Sequence, residues 1–235
     1  MPVKRVEIAN IGSVKLVKRR GVRSIRLSIS HDGEVRVSMP YWVPYVAAIE
    51  FAKSKGEWIV SKRIINKPIS DGGLIGKTHQ INFFPQQQRK SIATRITKGG
   101  EIRIYHPSNL NHADQSVQKA AEKASIRALK VQAEDCLPQR LADLSKMHGF
   151  NYRNVTIKRL KSRWGSCTDK QDIALNCFLM QLPWHLIDYV ILHELTHTKV
   201  MSHGPDFWSE LGQYVPNLKF IRKEIKSYRP VLLTQ

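Results

Sequence analysis

The sequence predicts an α+β protein in two parts: a basic, strand-rich N-terminal half, then a half in which one buried helix packs on a small sheet. Three observations support this. Apolar and polar residues alternate over residues 13–38 and again in three runs between Ile81 and Tyr105. A helical period runs uninterrupted from about Asp114 to Met147. Two further alternating runs then lead into an apolar helix that opens at Pro183.

In order along the chain, Val14, Leu16 and Val17, then Ile25, Leu27 and Ile29, then Val35 and Val37 alternate as strands, with His31-Asp32-Gly33 as the tight turn between the last two. Pro40 and Pro44 end this region. A helix is expected from Tyr45 to Ile65, with Val46, Ile49, Phe51, Trp58, Ile59 and Ile64 as its apolar stripe. Gly72-Gly73 and Gly76 punctuate the next connection. Strands follow at Ile81–Phe84, Ser91–Thr97 and Glu101–Tyr105, the last two joined at Gly99-Gly100. Pro107-Ser108-Asn109 marks a boundary, giving domains over 1–107 and 108–235.

The long helix tolerates Pro138 in its interior or bends there, and stops at Gly149. Val155–Lys161 and Asp172–Leu179 alternate as strands. The Pro183 helix continues to about Lys199, breaks over Ser202–Pro205, and gives way to helical segments split by Pro216 and ending near Tyr228. No internal repeat or low-complexity segment is visible.

Apolar residues make up 42% and charged residues 24% of the 235, a mixture that can build a core. No apolar run approaches the ~18 residues that span a bilayer. The basic residues of Met1–Glu7 have no apolar segment behind them, so a signal peptide is not expected. No membrane partner and a cytoplasmic location follow as expectations. Cys136, Cys167 and Cys177 are too few and too scattered for a disulfide framework or a cysteine-based zinc site.

The formal net charge is +19. Residues 1–100 hold 19 basic against 6 acidic side chains, a net of +13 that leaves +6 for the rest. Such asymmetry points to a polyanion, most simply nucleic acid held through its phosphates, or to a solvated basic face. Arg20, Arg23, Arg26 and Arg36 carry much of it in strand-like alternation. No aromatic platform for stacking bases is interleaved with them along the sequence.

The chemistry is concentrated in His193-Glu194-Leu195-Thr196-His197. On a helix, histidines four apart project from one face and can bind a single metal ion. Glu194, beside the first histidine, is placed to take a proton from a metal-activated water. With nine His and ten Glu in the chain, chance gives this pattern with probability of about 1.4%, and about 0.05% with a histidine also at the position of His203. His193, His197 and His203 supply the three protein ligands of a catalytic Zn²⁺ site, leaving one position open. Glu210, thirteen residues after His197, is the alternative third ligand.

The segments Arg163-Trp164-Gly165-Ser166-Cys167, Ile173-Ala174-Leu175-Asn176, Asp188-Tyr189-Val190, the HELTH segment and His203-Gly204-Pro205-Asp206-Phe207-Trp208 together resemble the YgjP-like metallopeptidase family. That resemblance implies a zincin-like metallopeptidase domain, distantly similar to SprT-type and WLM-type proteases that act on proteins crosslinked to DNA. It does not deliver a substrate. The ligand spacing equals that of the metzincins, but Thr198-Lys199-Val200-Met201-Ser202 lacks their glycine.

Arg163 is a candidate contact to a substrate carbonyl or its developing oxyanion, and the strand after it could pair with an extended peptide. Trp164 reads as core and Gly165 as a site of close backbone approach. Phe207 and Trp208 read as anchors for His203, and Asp206 as an acceptor for a ligand ring N–H or plain first-turn helix charge. Cys167 is a weak nucleophile candidate, having no base tied to it. Two functions compete: a zinc peptidase acting on peptide or protein substrates with Glu194 as general base, and a nucleic-acid-binding module whose metal-motif half is structural or acts only on nucleic-acid-bound proteins.

Overall fold

A computed structural model describes residues 2–29, 33–62 and 68–233. It divides into two compact units, Met1–Asn66 and Lys67–Gln235.

In the first unit the strands are β1 (Val3–Ile8), β2 (Gly12–Arg19), β3 (Arg26–Ile29) and β4 (Val35–Pro40). Their order is β1-β2-β4-β3, with β2 and β4 parallel and the outer pairs antiparallel. β1 was not anticipated, since Lys4, Arg5 and Glu7 break its apolar pattern; it is an edge strand with mostly exposed side chains. The expected turn at His31-Asp32 lies outside the described residues. The expected single helix is two, α1 (Tyr45–Ser54) and α2 (Gly56–Lys62), divided at Lys55. Ala48, Ala52 and Ile59 face Leu16, Val37 and Met39 in the core, whereas Val46 and Trp58, assigned to the stripe, are exposed. Ile64 lies outside the described residues.

The second unit opens with β5 (Gly73–Ile75), β6 (His79–Gln86), β7 (Ala93–Ile96) and β8 (Glu101–Pro107). Their order is β5-β6-β8-β7, again with a parallel central pair and antiparallel outer pairs. The fold of β1–β4 is thus repeated, although no sequence repeat announces it. The helix α3 (Gln115–His148) follows and runs through Pro138 without ending. Gly149, in the left-handed region at φ 68°, terminates it.

The buried stripe of α3, including Ala121, Ala128, Leu129 and Leu137, shares one core with Ile81, Ile102 and Ile104 of the β5–β8 sheet and with the elements that follow. The boundary expected at 107/108 therefore differs from the division between compact units at 66/67. Pro107-Ser108-Asn109 is only the turn between a sheet and the helix packed on it.

A small sheet ordered β10-β11-β9 comes next, from β9 (Asn154–Lys158), β10 (Gly165–Cys167) and β11 (Asp172–Asn176). The strand expected to reach Leu179 stops at Asn176, because the Asn176 side chain accepts the Phe178 N–H at 3.2 Å and turns Cys177–Gln181 into a 3₁₀ helix. The active-motif helix α4 (Trp184–Thr196) is followed by α5 (Pro205–Gly212) and α6 (Leu218–Ile225). A bidentate pair from Arg140 of α3 to Asp188 of α4, at 2.7 and 2.6 Å, fixes how α4 lies in the core. No helix of the described residues is long and apolar enough to cross a membrane.

Candidate metal centre

On α4, Leu186, Ile187, Ile191 and Leu195 are fully buried, so the opposite edge of the helix presents His193, Glu194 and His197 to a cleft. The helix ends at Thr196, short of the expected Lys199. There the Thr198 hydroxyl donates to the Leu195 carbonyl at 2.8 Å, and His197 Nδ1 lies 3.1 Å from the Val200 carbonyl. Lys199 then pairs with Glu210 of α5 at 2.8 Å, holding the loop that brings His203 back over the helix.

The three imidazoles converge. His203 Nε2 lies 3.0 Å from His193 Nε2 and 3.1 Å from His197 Nε2. Tetrahedral nitrogens at zinc distances stand about 3.3 Å apart, so this spacing fits a small cation taken by three rings. Donor chemistry fits as well. Burial and the neighbouring His197, His203 and Arg222 depress His193 to about 3, and burial lowers His197, so their rings are neutral with lone pairs to give. His197 Nδ1–H donating to the Val200 carbonyl leaves Nε2 as its ligand atom. His193 Nδ1 is buried without a partner among the described residues.

Phe207 is the floor of the site. It is fully buried, and its ring centroid stands 4.9, 4.5 and 4.8 Å from the rings of His193, His197 and His203. Trp208 stacks on His203 at 5.7 Å and donates its indole N–H to the His203 carbonyl at 3.0 Å. Both residues therefore anchor the third imidazole, as expected.

Glu194 is buried, and burial raises its carboxyl to about 8 against the opposing charge of Arg163. Arg163 itself is exposed and lines the cleft, whose volume is about 550 Å³. The Cys167 thiol is pushed up to about 11 by burial and by the charges of Glu194 and Asp172, which makes it a poor nucleophile. Glu210 is engaged by Lys199 and by the Tyr214 hydroxyl at 2.7 Å, and stands outside the three-histidine cluster. Asp206 is exposed in the first turn of α5, and no hydrogen bond joins it to a ligand ring among the described residues. The ring N–H of His197 is taken by the Val200 carbonyl, and Asp206 stands as first-turn helix charge, the other of its two readings.

Sequence reasoning missed two features of the site. Asn176 is fully buried, and its amide donates to the Leu160 and Arg163 carbonyls at 2.8 Å each, clamping the loop that carries Arg163. The Arg222 guanidinium of α6 stacks 3.6 Å over Trp208, and its charge reaches His193 and Tyr189. Neither has a local spacing that betrays it.

The sequence model of the YgjP-like metallopeptidase domain matches residues 23–228. The chain belongs to this family. It is a metallopeptidase by that membership, with a three-histidine cluster able to hold a metal ion. Two solved structures are similar over 37% of the chain at 26% identity and a TM-score of 0.34. They are the metallopeptidase zymogens abylysin of Pyrococcus abyssi, covered over 89% of its length, and jannalysin of Methanocaldococcus jannaschii, covered over 90%. No curated protein matches the chain.

Proposed function

We propose that this YgjP-like family member is a zinc-dependent peptidase in which Glu194 is the general base. The observation that carries the reading is the convergence of three imidazole nitrogens beside a buried carboxyl in an open cleft.

His193, His197 and His203 would hold the zinc, which would supply Lewis acidity and a water made acidic enough to react near neutral pH. The Glu194 carboxylate takes the proton from the attacking water and passes it to the nitrogen of the leaving amine. The charge of Arg163 favours the ionised base against burial, and from the lining of the cleft its guanidinium is available to a scissile carbonyl oxygen as it gathers negative charge. Among the described residues β10 pairs with β11 alone, and Gly165, Ser166 and Cys167 line the cleft. An extended peptide added along that edge is held by backbone hydrogen bonds, with its side chains left to the cleft walls. The three cysteines are free, in keeping with a reducing compartment, and the cytoplasm is the proposed location.

The test is hydrolysis of a mixed peptide library read by mass spectrometry. Cleavage that disappears on chelation and returns with zinc is the expected result. A zinc-replete protein that cleaves nothing in the library contradicts the proposal.

A further inference from the structure

The first unit holds 13 Lys and Arg against 5 Asp and Glu, and folding sorts these charges to opposite ends of its sheet. At one end Glu34 gathers Arg5, Lys15 and Arg36 at 3.0, 3.4 and 3.7 Å. The other end is where β1 and β3 begin and β2 and β4 finish, with Lys18 opposite Met39, Arg19 opposite Pro40 and Arg26 opposite Ser38. Lys4, Lys18, Arg19, Arg20, Arg23 and Arg26 collect there. Among the described residues no carboxylate pairs with any of the six.

Aromatic rings occupy the same end. Tyr41, Trp42 and Tyr45 follow β4 directly. Lys18 Nζ donates to the Tyr41 carbonyl at 2.8 Å and lies 4.9 Å over the Tyr45 ring. Lys4 lies 5.6 Å over the same Tyr45 ring, and Arg20 lies 6.0 Å over Tyr41. Trp42 is 77% exposed, and Val46 is exposed as well. The platform that the linear sequence does not show is therefore assembled by the fold, which carries the end of β2 to the end of β4.

We propose that this end of the first sheet binds single-stranded nucleic acid, with backbone phosphates along Lys18, Arg19 and Arg20 and an unstacked base on the Trp42 indole. Charge complementarity selects a polyanion, since among the described residues none of these six cations is paired with a carboxylate. The exposed indole selects one with free planar faces, and a duplex keeps its bases stacked on one another. The apolar part, Trp42 and Val46, is too small to anchor the protein in a bilayer by insertion. The helix that begins at this end, α1, is packed into the core through Ala48 and Ala52 and does not stand free for a groove, so sequence preference is weak.

The experiment is an anisotropy titration of the full-length chain with a labelled oligothymidylate of about 15 nucleotides, at several salt concentrations from about 50 mM upward. Binding should fall linearly in log–log salt and exceed binding to a duplex of the same length. Trp42→Ala should weaken it by about 5- to 100-fold with the salt slope unchanged, and Trp42→Phe should recover part of the loss. The exposed pair Arg19→Glu and Arg20→Glu should instead make the slope shallower, by about 0.7 for each phosphate contact removed. Because Trp42 is almost fully exposed, its variants fold, and circular dichroism verifies that. Several results overturn the proposal: no binding at the lowest salt, equal affinity for duplex, affinity indifferent to Trp42→Ala in a folded protein, or tighter binding to anionic lipid vesicles than to the oligonucleotide.

Discussion

Gly165 and Glu194 are in van der Waals contact across the floor of the cleft: a Cβ built on Gly165 would lie 2.7 Å from both Cγ and Oε1 of Glu194. The glycine is there because the carboxyl of the active helix occupies the space of a side chain. The backbone of β10 is thereby brought against the Glu194 carboxyl, so the strand proposed to hold the peptide and the proposed base form one surface.

A methyl group at Gly165 can be accommodated only by displacing Glu194. Gly165→Ala should therefore lower peptide hydrolysis by roughly 10²-fold, because a shift of about 1 Å in a catalytic group is enough for that. Zinc content, measured by atomic absorption, should stay near that of the wild type, since no ligand touches Gly165. Full activity in Gly165→Ala would mean that the position of Glu194 is not critical.

Metal stoichiometry separates the two third-ligand candidates. His203→Ala should reduce bound zinc sharply, whereas Glu210→Ala should leave it near one per chain, because Glu210 is held by Lys199 and Tyr214. The reverse pattern would move the third ligand to Glu210.

Asn176→Ala leaves the Leu160 and Arg163 carbonyls without their donor and the Phe178 N–H without its acceptor. Thermal or denaturant unfolding should show a loss of about 2–3 kcal/mol. Asn176→Asp keeps the acceptor for Phe178 but aims a carboxylate oxygen at two carbonyls, and should be no better. Stability equal to wild type in either variant would show that the loop does not depend on this clamp.

The buried carboxyl also gives the metal-free protein a pH dependence. Glu194 in the folded protein is raised to about 8 from an ordinary value of 4.5. The folded state therefore binds this proton more tightly than the unfolded state, and the stability it gives is present below about 4.5 and lost as pH rises through about 8. In chelated protein, Glu194→Gln should match the wild type in melting temperature near pH 5 and exceed it near pH 8. The histidines titrate in both proteins and cancel in the difference. A gap that does not grow between the two pH values would contradict burial of the ionised group.

The parts of this molecule that were legible in its sequence are those encoded locally. His193 and His197 are one helical turn apart, so their pairing is visible in five consecutive residues. His203 adds a third donor at a helix break. Strand alternation placed β2, β3, β4, β6, β7 and β8, and the long apolar period placed α3. Relations between distant segments were hidden. Asn176 reads as the end of a strand and reveals its clamp only when residues 160–163 fold over it. Arg222 is one of several cations on α6 until α6 packs over Trp208. Lys18 and Tyr41 are 23 residues apart and meet because β2 and β4 are parallel neighbours with β3 outside them. The repetition of that strand order in β5–β8 leaves no trace in side chains, since each sheet buries different residues against different helices.

The central claim is that Glu194 moves the proton while the three histidines hold the metal, and a single variant tests it. Glu194→Gln keeps the shape beside Gly165 and removes the base. Prepared zinc-replete and compared with the wild type on the same cleaved peptide, it should retain about one zinc per chain and lose roughly 10²-fold or more in kcat. Unchanged turnover with zinc bound would contradict the account.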